Sequence, residues 1–293
     1  MNKQHKILVV IWGFLGDALL SQPIAKKLKS EGQATHVDFM VGFPHTKLLL
    51  EQNPYINRVI LPSHFNPTPN PEHIDHLYDE VRVVRKYKGR EPLTIEHQVS
   101  AKVQHPTLEY VVYTLPEHDS WAKQEMRKLD SRPIVGISNS WKVDSSSYYD
   151  PTPLALLLSK DYNVILIGHK SGVTLSNIID LGQPAETFSF TASQCKHLDL
   201  MLGSEGGLTN LAAGVGCPII YSTDFIYNLA GPKGFNHQSQ SPTKLLGPKA
   251  YFKDAPHVQL PSEILPEDYL TTFPIQVKKF FDKNGVSNNR YKK

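Results

Sequence analysis

Cysteine is almost absent. Only Cys195 and Cys217 occur in 293 residues, with no CxxC pair and no zinc-ligand spacing, so the chain is expected in a reducing, cytoplasmic setting. Long apolar runs are also missing. The N-terminal run ILVVIW is interrupted by Gly13, Gly16 and Asp17, and no stretch reaches the ~18 apolar residues of a membrane span, which argues against both a signal peptide and a transmembrane helix. Nor is there an excess of charge of one sign. The 31 basic and 28 acidic residues are mostly interspersed, for a formal net charge of +3, a balance that does not suit a nucleic-acid-binding surface. What the chain does have is length and apolar content: 293 residues at 40% hydrophobic can build roughly two domains with sizeable cores.

Two blocks share one grammar. KILVVIW, from Lys6, is a continuous apolar, β-branched run, as expected of a strand covered on both faces of a parallel sheet. DALLSQPIAKKLKSEG reads as a helix ending at Gly32, with Pro23 limiting it or near its first turn. THVDFMVG, HTKLLLEQNP and INRVILP then predict strand, helix and strand. After a loop with four prolines and three histidines at 62–76, residues 91–131 are ambiguous, with LEYVVYTLP read as a strand and DSWAKQEMRKLDS as a helix. The second block starts again at RPIVGIS. It continues with helix DPTPLALLLSKD, strand YNVILIGH, helix SGVTLSNIIDLG, strand LDLMLGSEGG, and a helix and last strand in LTNLAAGVGCPIIYSTD. Alternating strands and helices predict α/β architecture in two Rossmann-like halves, with boundaries at 1–131, 132–264 and a C-terminal helix and polar tail at 265–293. Ligands of such sheets bind at the carboxyl ends of the strands.

A dinucleotide fingerprint is lacking. The first turn, GFLGD, has Gly13 and Gly16 only, and Asp38 precedes the end of the second strand instead of following it. The turn nevertheless places Asp17 at the head of a helix. A carboxylate there can serve as a general base, and Asp is equally a favoured N-cap residue. The second turn, SEGGLTN, brings the backbone N–H groups of Gly206, Gly207, Leu208 and Thr209 to a helix N-terminus, an anion site by geometry and dipole.

WGFLGDALLSQPIAKKL, followed by VDFMVGFPHTKLLLEQNPYINRVI and later LMLGSEGGLTNLAAGVGCPIIYSTDF, resembles glycosyltransferase family 9, the ADP-heptose:lipopolysaccharide heptosyltransferases. The resemblance covers roughly residues 6–61 and 133–235. It implies a GT-B fold, two Rossmann-like domains facing a central cleft with the C-terminal helix crossing back to the first domain. The implied activity is inverting transfer of a sugar from an ADP-linked donor to a glycan or glycolipid acceptor. The donor is a substrate, and neither a cofactor nor a metal is expected. Peripheral contact with a membrane surface would follow from a glycolipid acceptor.

By the same resemblance Asp17 is the catalytic base. Ser138, Ser140, Lys142, Glu205, Gly206, Gly207, Leu208, Thr209 and Asn210 bind the donor, and Gly16, His45 and Lys47 lie on the acceptor side. Glu205 replaces the family's usual aspartate, Asn210 its usual histidine, and the loop with Lys142 lacks the usual basic-Trp-Pro sequence. These departures motivate an alternative, a non-catalytic sugar-nucleotide-binding scaffold on the same fold. An epimerase or phosphorylase has no supporting residues. The basic stretch Arg82, Arg85, Lys86, Lys88 and Arg90 reads as a solvated face or a dock for an acidic glycolipid. His64, His73 and His76 lack the companion ligands of a metal site.

Overall fold

The computed structural model of the chain describes residues 5–63, 68–84, 93–138, 150–168, 178–181, 188–204, 206–222, 258–260 and 268–284. The chain divides into two compact units, one built on Met1–Thr114 and the other starting at Leu115.

The first unit contains β1 (Lys6–Ile11), α1 (Leu15–Leu20), α2 (Pro23–Ser30), β2 (His36–Met40), α3 (Pro44–Leu50), β3 (Arg58–Ile60), β4 (Glu80–Val84) and α4 (Leu93–Ser100). Its sheet is parallel, in the order β3-β2-β1-β4, with Ile7 opposite Val37 and Glu80. β1 is central and buried on both faces, which is why its apolar residues do not alternate with polar ones. Ile7, Val9 and Ile11 pack with Ile24, Leu28 and Phe39 on one side, while Leu8 and Val10 pack with Met40, Trp12 and Tyr78 on the other. The single helix expected after β1 is two, since Pro23 lacks an N–H and begins α2 at its first turn. Tyr110 and Val112 are buried, yet the strand expected at 108–116 pairs with no sheet.

The second unit contains α5 (Pro116–Met126), β5 (Ile134–Ser138), α6 (Thr152–Leu158), β6 (Asn163–Ile167), β7 (Ile178–Asp180), α7 (Phe188–Lys196), β8 (Leu200–Ser204), α8 (Gly207–Gly214), β9 (Ile219–Ser222), β10 (Val258–Gln259) and α9 (Tyr269–Asn284). Its six strands are parallel, in the order β10-β9-β8-β5-β6-β7. Ile178 to Asp180, expected within a helix, extend the sheet as β7 beside β6, with Ile178 buried.

The division between units falls after Thr114, not at 131, because α5 packs on α7. Trp121 meets the Phe190 ring edge-on at 5.2 Å, Ala122 and Met126 are buried, and Asp119 pairs with Lys196. α9 packs on α6 and β9 of its own unit. Its Tyr269, Phe273, Val277 and Phe280, spaced at helical period, complete the core of that unit with Leu154 and Leu200. Leu270 and Ile275, on the same helix, are exposed.

Each sheet has a switch point. In the first the chain proceeds from β1 outward to β3 and returns on the other side of β1 with β4; in the second it proceeds from β5 to β7 and returns beside β5 with β8. The crevices left at the carboxyl ends of β1 and β5 are where open α/β sheets take ligands.

Candidate active site

The turn after β1 brings Asp17 to the first of these positions. Gly13 has φ +125°, a conformation that L side chains rarely adopt, and a Cβ on it would collide with the Asp17 carboxylate. The chain can therefore fold its backbone tightly against that carboxylate. The Phe14 N–H donates to Asp17 Oδ2 at 2.9 Å, so Asp17 does cap α1, from inside its first turn, and the capping bond fixes one carboxylate oxygen. About a third of the Asp17 side chain stays open to solvent, at 31%.

The other oxygen faces a residue that carries no motif. His97, on α4, is buried, with Nε2 3.8 Å from Asp17 Oδ1 and Nδ1 2.8 Å from Ser21 Oγ. Burial pushes its imidazole pKa down to about 4, so His97 is neutral at pH 7 and its approach to Asp17 is not an ion pair. Ser21 Oγ also lies 2.8 Å from the Asp17 carbonyl. Ser21 has one hydroxyl proton, so the tautomer of His97 sets whether Ser21 or Nδ1 donates in the 2.8 Å contact between them. Asp17 is thus held through backbone and side chain by α1 and backed by α4.

Phe14 begins a ladder of rings. It stacks on Phe43 at 5.3 Å between centroids and 21° between planes, and Phe43 stacks on His45 at 5.5 Å and 20°. Phe14 and Phe43 occupy the N-cap positions of α1 and α3.

In the second unit the carboxyl ends of β5 and β8 and the start of α8 converge on Gly203. A Cβ there would stand 2.8 Å from Thr209 Cγ2 and 3.3 Å from Ser138 Cβ, so the absence of a side chain lets both expected donor residues close in. Gly206 N–H donates to Thr209 Oγ1 at 3.0 Å, and Thr209 Oγ1 lies 3.0 Å from both the Ser204 and Gly206 carbonyls. The Thr209 hydroxyl and the Gly206 amide are engaged in closing the turn, so the amides of Gly207, Leu208 and Thr209, which helix geometry leaves without intrahelical acceptors, are the ones that can meet an anion. Thr209 and Asn210 are buried. Ser140, Lys142 and Glu205 lie outside the described residues.

No family model and no curated protein matches the chain. Among solved structures it is similar to E. coli ADP-heptose LPS heptosyltransferase II, with 14% identity over 94% of this chain and 99% of that one and a TM-score of 0.62. It is also similar to a glycosyl transferase family 9 protein from Veillonella parvula, with 12% identity over 95% and 89% and a TM-score of 0.59. E. coli heptosyltransferase WaaC, solved with ADP, matches at 12% identity over 95% and 99% with a TM-score of 0.54. The fold is GT-B.

Within this GT-B chain the remaining expected residues separate by surroundings. Gly16 lies in α1 beside Asp17, and His45 lies in the ring ladder. Lys47 makes an i,i+4 pair with Glu51 at 3.6 Å on the outside of α3. Arg82 is neither solvated nor a dock. It is buried on β4, donating to Gln33 Oε1, the Ala101 carbonyl and Glu80 Oε2 at 2.7–2.8 Å. Arg85, Lys86, Lys88, Arg90 and His64 lie outside the described residues. Asp38, the carboxylate weighed for a dinucleotide ribose, is buried and accepts from the Tyr78 hydroxyl at 2.6 Å, beside His36 and Arg58. Among the described residues no three His, Cys, Asp or Glu side chains could hold a metal ion.

Proposed function

We propose that the chain is an inverting glycosyltransferase that moves a sugar, heptose or a similar one, from an ADP-linked donor to a hydroxyl of a glycan or glycolipid, as in lipopolysaccharide core synthesis. The observation that carries this reading is Asp17, a carboxylate at the switch point of the first sheet, fixed by the Phe14 amide, backed by neutral His97 and open on one side.

Asp17 takes the proton from the acceptor hydroxyl as that oxygen attacks the anomeric carbon opposite the leaving diphosphate. The new C–O bond forms, the bond to the diphosphate breaks, and the configuration inverts. A positioned base contributes about 10²–10⁴-fold. The departing negative charge is met by the first-turn amides of α8 and its dipole, with Ser138, Ser140, Lys142, Glu205 and Asn210 completing the donor site. Peptide donors and a lysine supply this stabilisation without a divalent metal. The acceptor side comprises Gly16 and His45, with Lys47 at its edge. The reaction belongs in the cytoplasm, at the surface of a membrane that carries the glycolipid; among the described residues no helix is long and apolar enough to cross one.

The test is transfer from ADP-heptose to a lipopolysaccharide core oligosaccharide. We expect Asp17→Ala to lower turnover at least ~100-fold with the Kd for ADP unchanged, and chelation of divalent ions to leave turnover intact. Full activity in Asp17→Ala would remove the base from this account.

A further inference from the structure

We propose that the rings of Phe14 and Phe43, extended by His45, form the platform on which the acceptor lies, and that the acceptor group they select is a sugar ring lying flat on its C–H face. This rests on Asp17 being the base, since the platform begins at the residue whose amide holds that carboxylate.

Three observations carry it. First, Phe14 is 62% exposed, the most of any large hydrophobic residue among those described. A scattered exposed aromatic needs no explanation, but one that heads a stack of three near-parallel rings beside a candidate base is a different case. Second, both phenylalanines occupy N-caps, and neither makes a side-chain capping bond. Ser, Thr, Asp or Asn would stabilise a helix start there, so local helix stability accounts for neither ring, and core burial does not account for the exposed Phe14. Positions that break a local rule without a structural return are where function is expected. Third, the base limits what can lie there. A group that gives up a proton to Asp17 must carry a hydroxyl next to Phe14.

The negative π-face of an aromatic ring attracts weakly positive C–H groups, and a pyranose offers a face of axial C–H bonds with hydroxyls at its rim. Such a ring can stack on Phe14 and turn a rim hydroxyl to Asp17. A phosphate gains nothing from the rings and is repelled by the carboxylate, and Lys47 of α3 is already paired with Glu51. A plain alkyl chain would cover the rings but has no hydroxyl for the base.

The experiment is saturation-transfer NMR on the full-length protein with methyl glycosides of glucose, galactose, mannose and glucosamine. Octanol and inorganic phosphate serve as the lipid-chain and anion probes. We expect saturation of the C–H protons of one sugar face. The Kd should rise at least about threefold in Phe14→Ala and Phe43→Ala and be retained in Phe14→Trp, the size of one lost stacking contact. An unchanged melting temperature in Phe14→Ala would confirm that the loss is one of binding. The proposal is overturned if no glycoside is saturated, if Phe14→Ala binds as well as the parent, or if octanol displaces the glycosides. Asp17→Asn in the same experiment should leave stacking in place. Loss of transfer in Asp17→Asn with indifference to Phe14 would overturn the platform alone, and retained transfer in Asp17→Asn would overturn the base.

Discussion

Asp17 receives a backbone N–H on one oxygen and a buried neutral imidazole toward the other, and Gly13 folds against it at a φ of +125°. Gly13→Ala would need both a strained backbone and a displaced carboxylate. We expect it to lower stability by about 1–3 kcal/mol and transfer by more than its fraction unfolded explains, measured by denaturant unfolding alongside turnover. His97 gives a prediction with a definite pH window. Its folded pKa lies near 4, against 6.5 unfolded, so between those values the unfolded chain binds a proton that the folded chain refuses. Stability should therefore be full above pH 6.5 and fall on acidification toward pH 4, by roughly 3 kcal/mol. The charged group facing the ring is Asp17, and Glu80, whose pKa is held near 2 chiefly by Arg82, acts in a lower window. His97→Leu should reduce the slope between pH 6.5 and 4 in chemical unfolding, leaving the part contributed by His197, whose pKa burial also lowers. A slope unchanged in His97→Leu would mean that other groups carry it.

At the scale of elements, the turn proposed to hold the donor depends on the closeness of β5, β8 and α8 around Gly203. Gly203→Ala places a methyl 2.8 Å from Thr209 Cγ2, so we expect ADP affinity to fall several-fold while the far-ultraviolet circular dichroism is kept. An unchanged Kd would mean that this turn does not hold the nucleotide. The elements themselves were largely legible. β1, β5 and β6 are buried on both faces, and their uninterrupted apolar runs say so. The glycine turns announced Asp17 and α8 because backbone approach needs residues without side chains. β7 was misread because three residues are too short a run for local pattern to tell strand from helix, and pairing with β6 decides the conformation. His97 was invisible for a related reason. It lies in LTIEHQVS, a segment without motif, and acquires meaning only when α4 packs on α1. Phe14 and Phe43 carry no motif, and only the helix starts place them as N-caps.

For the molecule as a whole, each unit has its own core, and in the second α9 is part of it. Phe273 is fully buried there. Phe273→Ala should destabilise the protein by about 3–5 kcal/mol, and ADP should restore part of the loss by binding the folded second unit. The two units repeat one design, a parallel sheet whose chain reverses beside a central strand, and each presents a different chemistry at that strand's end: a carboxylate in the first, backbone amides in the second. A nucleotide-sugar transferase needs both. The most direct measurement is calorimetric titration of the full chain with ADP, GDP and UDP, with and without magnesium. The account predicts micromolar binding of ADP in preference to the others, independent of magnesium. Binding of none of the three would contradict it and leave Asp17 without a reaction to serve.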